Sequence, residues 1–354
     1  MTHSETAAAP SATTVLPPEG GPEFIGVGSP LVDLVVSVDD AFLAEHVGGG
    51  KGGMELVTAE TIGAIIGALS GEKGKGKNAP KVAQSAGGAA SNTTVGVANL
   101  GIRAAFIGAS GEDEYATFYK GALKEHGCDP RLIARADHPT GHVLSLVTPD
   151  AQRTMRTCLG AAATLDPAFF TPATFAGARV VMLEGYTLFN HALTRAVARS
   201  AKAAGCALAL DFASYEVVNA NREVLTELLN GQVDLVFANQ DEAAAWHPGG
   251  PEAALADLAR RAPLAVVKLG KDGALIARGS ERAVVKADPV TAIDTTGAGD
   301  CWAAGFLAAW LKGLPLAQCG RAGALAGAAV VQVMGGQLPR EKWLAIKGWM
   351  DAWA

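Results

Sequence analysis

Cysteine is scarce and unpatterned. Five occur, at Cys128, Cys158, Cys206, Cys301 and Cys319, with no C-x-x-C pair. So scattered and odd a set excludes a disulfide framework and a cysteine-built zinc site. It points to a reducing compartment, the cytoplasm. Of the seven histidines only His138 and His142 show H-x-x-x-H spacing, and Pro139 and Gly141 between them do not suit a helix, so a helix-borne histidine metal site is not expected. Positive charge is short as well. Lys and Arg number 29 against 35 Asp and Glu, which argues against nucleic acid as a partner. No apolar stretch runs about 18 residues without Gly, Arg or Lys, so no membrane span is expected. The first 22 residues are rich in Ala, Pro, Thr and Ser and lack an apolar segment. They predict a disordered tail rather than a signal peptide. What remains is plentiful apolar material, 49% of the chain against 18% charged, enough for a large core.

That material is arranged in short blocks. FIGVGSPLVDLVVSV, from Phe24, predicts two strand pieces broken at Gly28-Ser29-Pro30. GGGKGG at 48–53 predicts a loop, 58–69 a helix, and GEKGKGKNAPK at 71–81 a polar basic insertion. A small-residue helix follows Gly87-Gly88 and runs to Leu100. Strands are expected at 104–109, 141–148 and 152–158, with a helix at 114–126. Further on, apolar runs at 179–184, 206–211, 233–238 and 264–269 alternate with helical segments near 191–204, 221–230 and 251–261. Such alternation argues for a parallel sheet covered on both faces. An antiparallel pair at 274–277 and 282–286, a strand at 290–293, and helices at 299–312, 316–334 and 340–351 close the chain.

Chemistry concentrates in Asp294-Thr295-Thr296-Gly297-Ala298-Gly299-Asp300. A strand feeds this turn, and the turn opens an apolar helix. Gly297 and Gly299 let backbone N–H groups approach an anion, and a helix N-terminus suits a phosphate. Asp300 falls in the first helical turn, where a carboxylate could accept a hydroxyl proton during phosphoryl transfer. Simple complementarity to the helix dipole would also place an acid there. Upstream, Gly87-Gly88-Ala89-Ala90-Ser91-Asn92 opens a helix, and Asn92 offers both a donor and an acceptor. Asn239-Gln240-Asp241-Glu242 follows the buried run VDLVFA, where polar residues face the crevice of an open α/β sheet. An ordinary helix cap with an acidic first turn would place the same residues there.

The stretch Asp294–Asp300 resembles the second signature of the ribokinase-like kinases, the PfkB carbohydrate-kinase family. The resemblance covers about residues 24–340. It implies a three-layer α/β sandwich with a mostly parallel central sheet and a small β lid, built from pieces near 30–38 and within 104–158. The organisation expected is a tail at 1–22, a kinase domain over 23–340 and a C-terminal helix at 341–354. By resemblance, Asp300 is the catalytic base, and the N–H groups of Gly297, Ala298 and Gly299 form an anion hole. Asp33, Gly87, Gly88 and Asn92 fall to the acceptor; Glu184, from its place at a strand end, could reach it too, although a structural ion pair explains it almost as well. Asn239, Gly270 and Gly273 fall to ATP. Asn239 and Glu242 organise Mg2+, mostly through water, and Asp294 lies where relatives bind K+. Many members carry Thr where Lys268 stands, so Lys268 has no assigned role; Arg153 and Arg156 have none either. The stretches RTMRTCLG at 153–160 and LEGY at 183–186 resemble the adenosine-kinase-like branch. The expected reaction moves the γ-phosphate of ATP to a hydroxyl, a hydroxymethyl group first among them, of a sugar or nucleoside by a monomer or homodimer. Aromatics at only 6% leave the choice between those acceptors open. A catalytically silent member with a binding or regulatory role is the alternative, and a kinase assay separates the two.

Two other signals fail on context. Gly71-Glu72-Lys73-Gly74-Lys75-Gly76-Lys77 spells G-x-x-x-x-G-K, but Asn78 replaces the Ser or Thr of a P-loop. Gly26-Val27-Gly28 runs into Pro30 instead of a helix, which removes a dinucleotide fingerprint.

Overall fold

The computed structural model describes residues 20–70, 82–150 and 152–353. The insertion expected at 71–81 and nearly all of the expected tail lie outside the described residues. Strands are numbered along the chain. The larger sheet contains β1 (Phe24–Val27), β5 (Ala104–Ser110), β6 (Cys128–Ala134), β9 (Val180–Glu184), β10 (Ala207–Asp211), β11 (Leu235–Asn239), β12 (Leu264–Lys268), β13 (Ala274–Arg278) and β14 (Glu281–Val285). Their order is β14-β13-β12-β11-β10-β9-β1-β5-β6. From β6 to β12 the strands run parallel, and β13 and β14 add an antiparallel edge.

A parallel sheet must be covered on both faces, and two apolar clusters do this. One packs Ile25, Val181 and Leu210 against the helices His191–Ala203, Arg222–Leu229 and Pro251–Arg261. The other packs Phe24, Phe237 and Val266 against Ala298–Leu311 and Leu316–Val330. Arg340–Asp351 joins that second cluster through Trp343, Ile346 and Met350. Helix Ala89–Asn99 lies against Ala298–Leu311. A Cβ on Gly96 would stand 2.5 Å from the Ala304 Cβ and 2.7 Å from the Trp343 ring, so only glycine allows this approach.

The smaller sheet has the order β3-β8-β7-β2-β4, from β2 (Leu31–Ser37), β3 (Met54–Leu56), β4 (Ala83–Gly87), β7 (Gly141–Val147) and β8 (Arg153–Cys158). Along β2 the side chains alternate as the pleat requires. Val32, Leu34 and Val36 enter a third apolar cluster with Ile62, Ile65 and Leu144. Leu31, Asp33 and Val35 are only partly buried and fall on the opposite face.

Several expectations need correction. Of the lid pieces expected within 104–158, only β7 and β8 belong to the small sheet; β5 and β6 extend the large one. Strand β6 was not anticipated because Asp129, Pro130 and Arg131 interrupt its apolar run. Proline is tolerated there because β6 is an edge strand. No strand forms at 290–293. Instead the Ile293 and Asp294 N–H groups both donate to Val331 O, at 2.7 and 3.2 Å. The helix expected near 221–230 is Arg222–Leu229, and a short helix not anticipated, Tyr215–Ala220, precedes it across Asn221. The helix expected to reach residue 334 ends at Val330.

Candidate active site

Adjacent parallel strands end on one edge of the large sheet with polar side chains. β12 ends in Lys268, β11 in Asn239, β10 in Asp211 and β9 in Glu184. Register sets Asn239 opposite Lys268 and Asp211 opposite Glu184. This is the carboxyl edge, where open α/β sheets hold ligands. A cavity of about 860 Å³ lies along it, lined by Asp211, Asn239, Glu242, Lys268, Gly297 and Asp300 among others. Gly270 and Gly273 line it as well.

The turn before helix Ala298–Leu311 closes one side. Gly297 is the helix cap, with a left-handed φ of 71°. A Cβ there would meet Gly336 O at 2.5 Å, so the turn requires glycine. The Ala298 N–H is engaged in the turn itself, donating to Thr295 O at 3.2 Å. The following first-turn amides have no intrahelical partner, as at any helix start.

Asp300 meets the helix that begins at Ala89 directly. Asn92 Nδ2 donates to Asp300 Oδ2 at 3.0 Å, and Thr93 Oγ1 donates to Asp300 O at 3.2 Å. Burial pushes the Asp300 carboxyl up to about 7. The Asn92 hydrogen bond and Lys268 oppose that rise, whereas Asp211 and Glu184 add to it. Asn92 Oδ1 is buried without a hydrogen-bond partner among the described residues.

Asp33 sits beside Gly87, whose missing Cβ would stand 2.4 Å from Asp33 Oδ2. Burial pushes its carboxyl up to about 6 against the opposing charge of Arg153. Glu184 takes a bracing position. Its Oε1 accepts from Ser29 N at 2.8 Å and its Oε2 from Ala90 N at 3.1 Å. One carboxylate thus ties the break after β1 to the start of the Asn92 helix. Burial raises the Glu184 carboxyl above the usual range, and these backbone donors oppose the rise.

This arrangement of a parallel-sheet edge, a glycine-capped helix start and an aspartate bound to an asparagine has known counterparts. The sequence pattern of the pfkB family of carbohydrate kinases matches residues 57–343. The chain belongs to that family. An adenosine kinase of Schizophyllum commune is 26% identical over 345 residues, 90% of this chain and 96% of that one. The solved adenosine kinase from Sinorhizobium meliloti superposes with a TM-score of 0.80 at 32% identity, covering 93% of this chain and 99% of its own. A probable sugar kinase from Rhizobium etli CFN 42 also gives 0.80, at 30% identity over 92% of this chain and 98% of its own. These likenesses place the kinase in the adenosine-kinase-like branch. Its fold is ribokinase-like, and it is a phosphotransferase with an alcohol group as acceptor.

The two residue sets expected to hold cations differ in fit. Asn239 and Glu242 form a reciprocal cap: Glu242 N donates to Asn239 Oδ1 at 2.9 Å, and Asn239 N to Glu242 Oε2 at 2.8 Å. Asn239 Nδ2 also donates to Glu242 Oε1 at 2.6 Å. Both carboxylate oxygens are therefore engaged. Burial and the charge of Asp211 push this carboxyl up to about 7, and Lys268 opposes them. The pair fits a magnesium ion only through its waters, which is how magnesium usually meets proteins. Asp294 fits a monovalent cation less well. Its Oδ1 accepts from Thr296 N and Oγ1, at 3.0 and 2.7 Å. Its Oδ2 accepts from Gly335 N at 2.8 Å and Arg153 Nη2 at 2.5 Å. These four donors fill a carboxylate's acceptor positions, so the side chain has no position left for K+.

Sequence reasoning left three of these residues without a role. Asp211 ends an apolar strand just as Glu184 does, and that parallel was the available signal. Lys268 donates to Asp211 Oδ2 at 2.7 Å. Arg153 crosses from the lid strand β8 to the turn and also donates to Thr296 Oγ1 at 2.9 Å. Arg156 lies elsewhere. Its side chain is buried, bonded to the carbonyls of Gly48 and Met155.

Proposed function

We propose that this kinase transfers the γ-phosphate of ATP to a hydroxymethyl group of a sugar or nucleoside, with Asp300 as general base. The observation that carries the reading is the Asn92–Asp300 hydrogen bond, which joins an acceptor-binding residue to a proton-accepting one. A base works best with a pKa near the working pH, and Asp300 is pushed up to about 7. Its carboxylate takes the hydroxyl proton as the oxygen attacks. Asn92 Oδ1, lacking a partner among the described residues, accepts from a second hydroxyl, and Asp33 accepts from another.

The turn Gly297-Ala298-Gly299 stabilises charge on the transferring phosphoryl group with backbone N–H groups and the helix dipole. Because the Ala298 N–H already serves the turn, the Gly299 and Asp300 amides carry most of this. Asn239 and Glu242 would hold a magnesium ion through its waters, and such an ion would neutralise phosphate charge. Gly270 and Gly273 line the nucleotide's side of the cavity. The lid sheet covers the acceptor and excludes water, which limits ATP hydrolysis. The five cysteines are free and buried, as suits the cytoplasm.

The test is a phosphotransfer screen of sugars and nucleosides with Mg-ATP, the product read as a phosphomonoester by 31P NMR. A primary-alcohol ester is expected. Failure with every sugar and nucleoside would overturn the reading.

A further inference from the structure

We infer that the Lys268 ammonium binds the terminal phosphates of the nucleotide donor and that Asp211 is the residue that positions it. The inference rests on the reading of the cavity as the donor site. Lys268 closes β12 beneath the start of helix Ala298–Leu311. Its Nζ lies 3.1 Å from where a Cβ on Gly299 would stand, so the ammonium sits against the turn that handles the transferring group. The side chain is 10% exposed, and it lines the cavity.

An ammonium has three N–H donors. Among the described residues, one is used, on Asp211 Oδ2 at 2.7 Å. Withdrawing a charge from water is costly unless its hydrogen bonds are replaced, and a buried ion pair is weak evidence of a purely stabilising role. The unfilled donors of Lys268 call for a ligand that is anionic and rich in acceptors. Charge points the same way. Asp211, Glu242 and Asp300 all act on this lysine, and on its own that acidic wall would repel a polyphosphate. Burial pulls the ammonium's pKa down, but the three carboxylates more than reverse this, so Lys268 stays charged. The other lysine lining the cavity, Lys271, is exposed.

Asp211 is itself held in place. Its Oδ1 accepts from Ala213 N at 3.0 Å. Ala213 has a φ of 66°, the one non-glycine residue in the left-handed region among those described. Alanine adopts that conformation only at a cost in backbone energy, and such strain concentrates at ligand sites.

Isothermal titration of the full chain with ADP and AMP-PNP, in magnesium, tests the inference. Lys268→Met is expected to weaken both by about tenfold to a hundredfold, the usual effect of losing a hydrogen bond between charged groups. Because that variant leaves Asp211 buried and unpaired, the deciding variant is Lys268→Met/Asp211→Asn, which removes both charges. Its melting temperature should recover while its affinity for ADP stays at least tenfold below wild type. A loss under tenfold in the double variant overturns the inference, since the lysine would then serve only to neutralise Asp211. A wild-type chain that binds neither nucleotide overturns the donor-site reading itself, and the inference falls with it.

Discussion

Asp300 can accept a proton only in molecules that carry it ionised. With its carboxyl pushed up to about 7, kcat/KM should rise with pH through that value and level off above it. A pH–rate profile with a flat acid side down to pH 5 would show that another group is the base. Asp300→Asn should lower turnover by roughly 10²–10⁴-fold, the range for losing a positioned general base. Stability should move the opposite way at high pH. A carboxyl raised on folding contributes stability that is fully present below its unfolded value and is lost as pH rises through about 7. Asparagine does not ionise, so the melting temperature of the variant relative to wild type should climb between pH 4 and pH 8. At this scale the sequence was legible where function is contiguous. Asp300 announces itself because the glycine turn and helix start lie beside it. Lys268 and Asp211 are 57 positions apart and Arg153 and Asp294 are 141 apart, so no local pattern could join them.

Elements carry two further expectations. Gly297 caps its helix with a left-handed backbone against Gly336. Gly297→Ala should cost about 1–2 kcal/mol in backbone conformation alone, with the steric clash added. Its melting temperature should fall further than that of Asp300→Asn at neutral pH. Arg153 is the tie between strand β8 and the 294–296 turn. Arg153→Ala should speed amide hydrogen exchange in residues 141–158 while β9 to β12 exchange as in wild type. Equal exchange in both enzymes would show that the lid is held by its apolar packing instead. Apart from edge strand β6, the large sheet was readable because its buried strands are unbroken apolar runs. In the lid β2, β7 and β8 were readable too, but β4 and β3 were not, because β4 reads AQSAG and β3 is three exposed residues. Such strands are made by their neighbours rather than by their own composition.

Across the whole molecule, the C-terminal helix serves as a brace. Trp343 is 1% exposed and lies against Gly96, on the helix that carries Asn92. Trp343→Ala should destabilise the chain by about 3–5 kcal/mol, as for other buried aromatics, and chemical denaturation would measure it. A loss below 1 kcal/mol would mean the helix is dispensable. The close crossing of Ala89–Asn99 and Ala298–Leu311 also bears on descent. Asn92 and Asp300 ride on two helices locked by the Gly96–Ala304 contact, whereas Asp33 rides on a lid strand. On the proposed reading, the base and one acceptor contact, Asn92, therefore ride together, while the other acceptor contact, Asp33, belongs to a separate mechanical part. Lid sequence can drift, and the alcohol it admits can change, while the spacing of the pair stays constant. Exchanging the lid strands of two relatives should then transfer substrate preference and leave the chemistry in place.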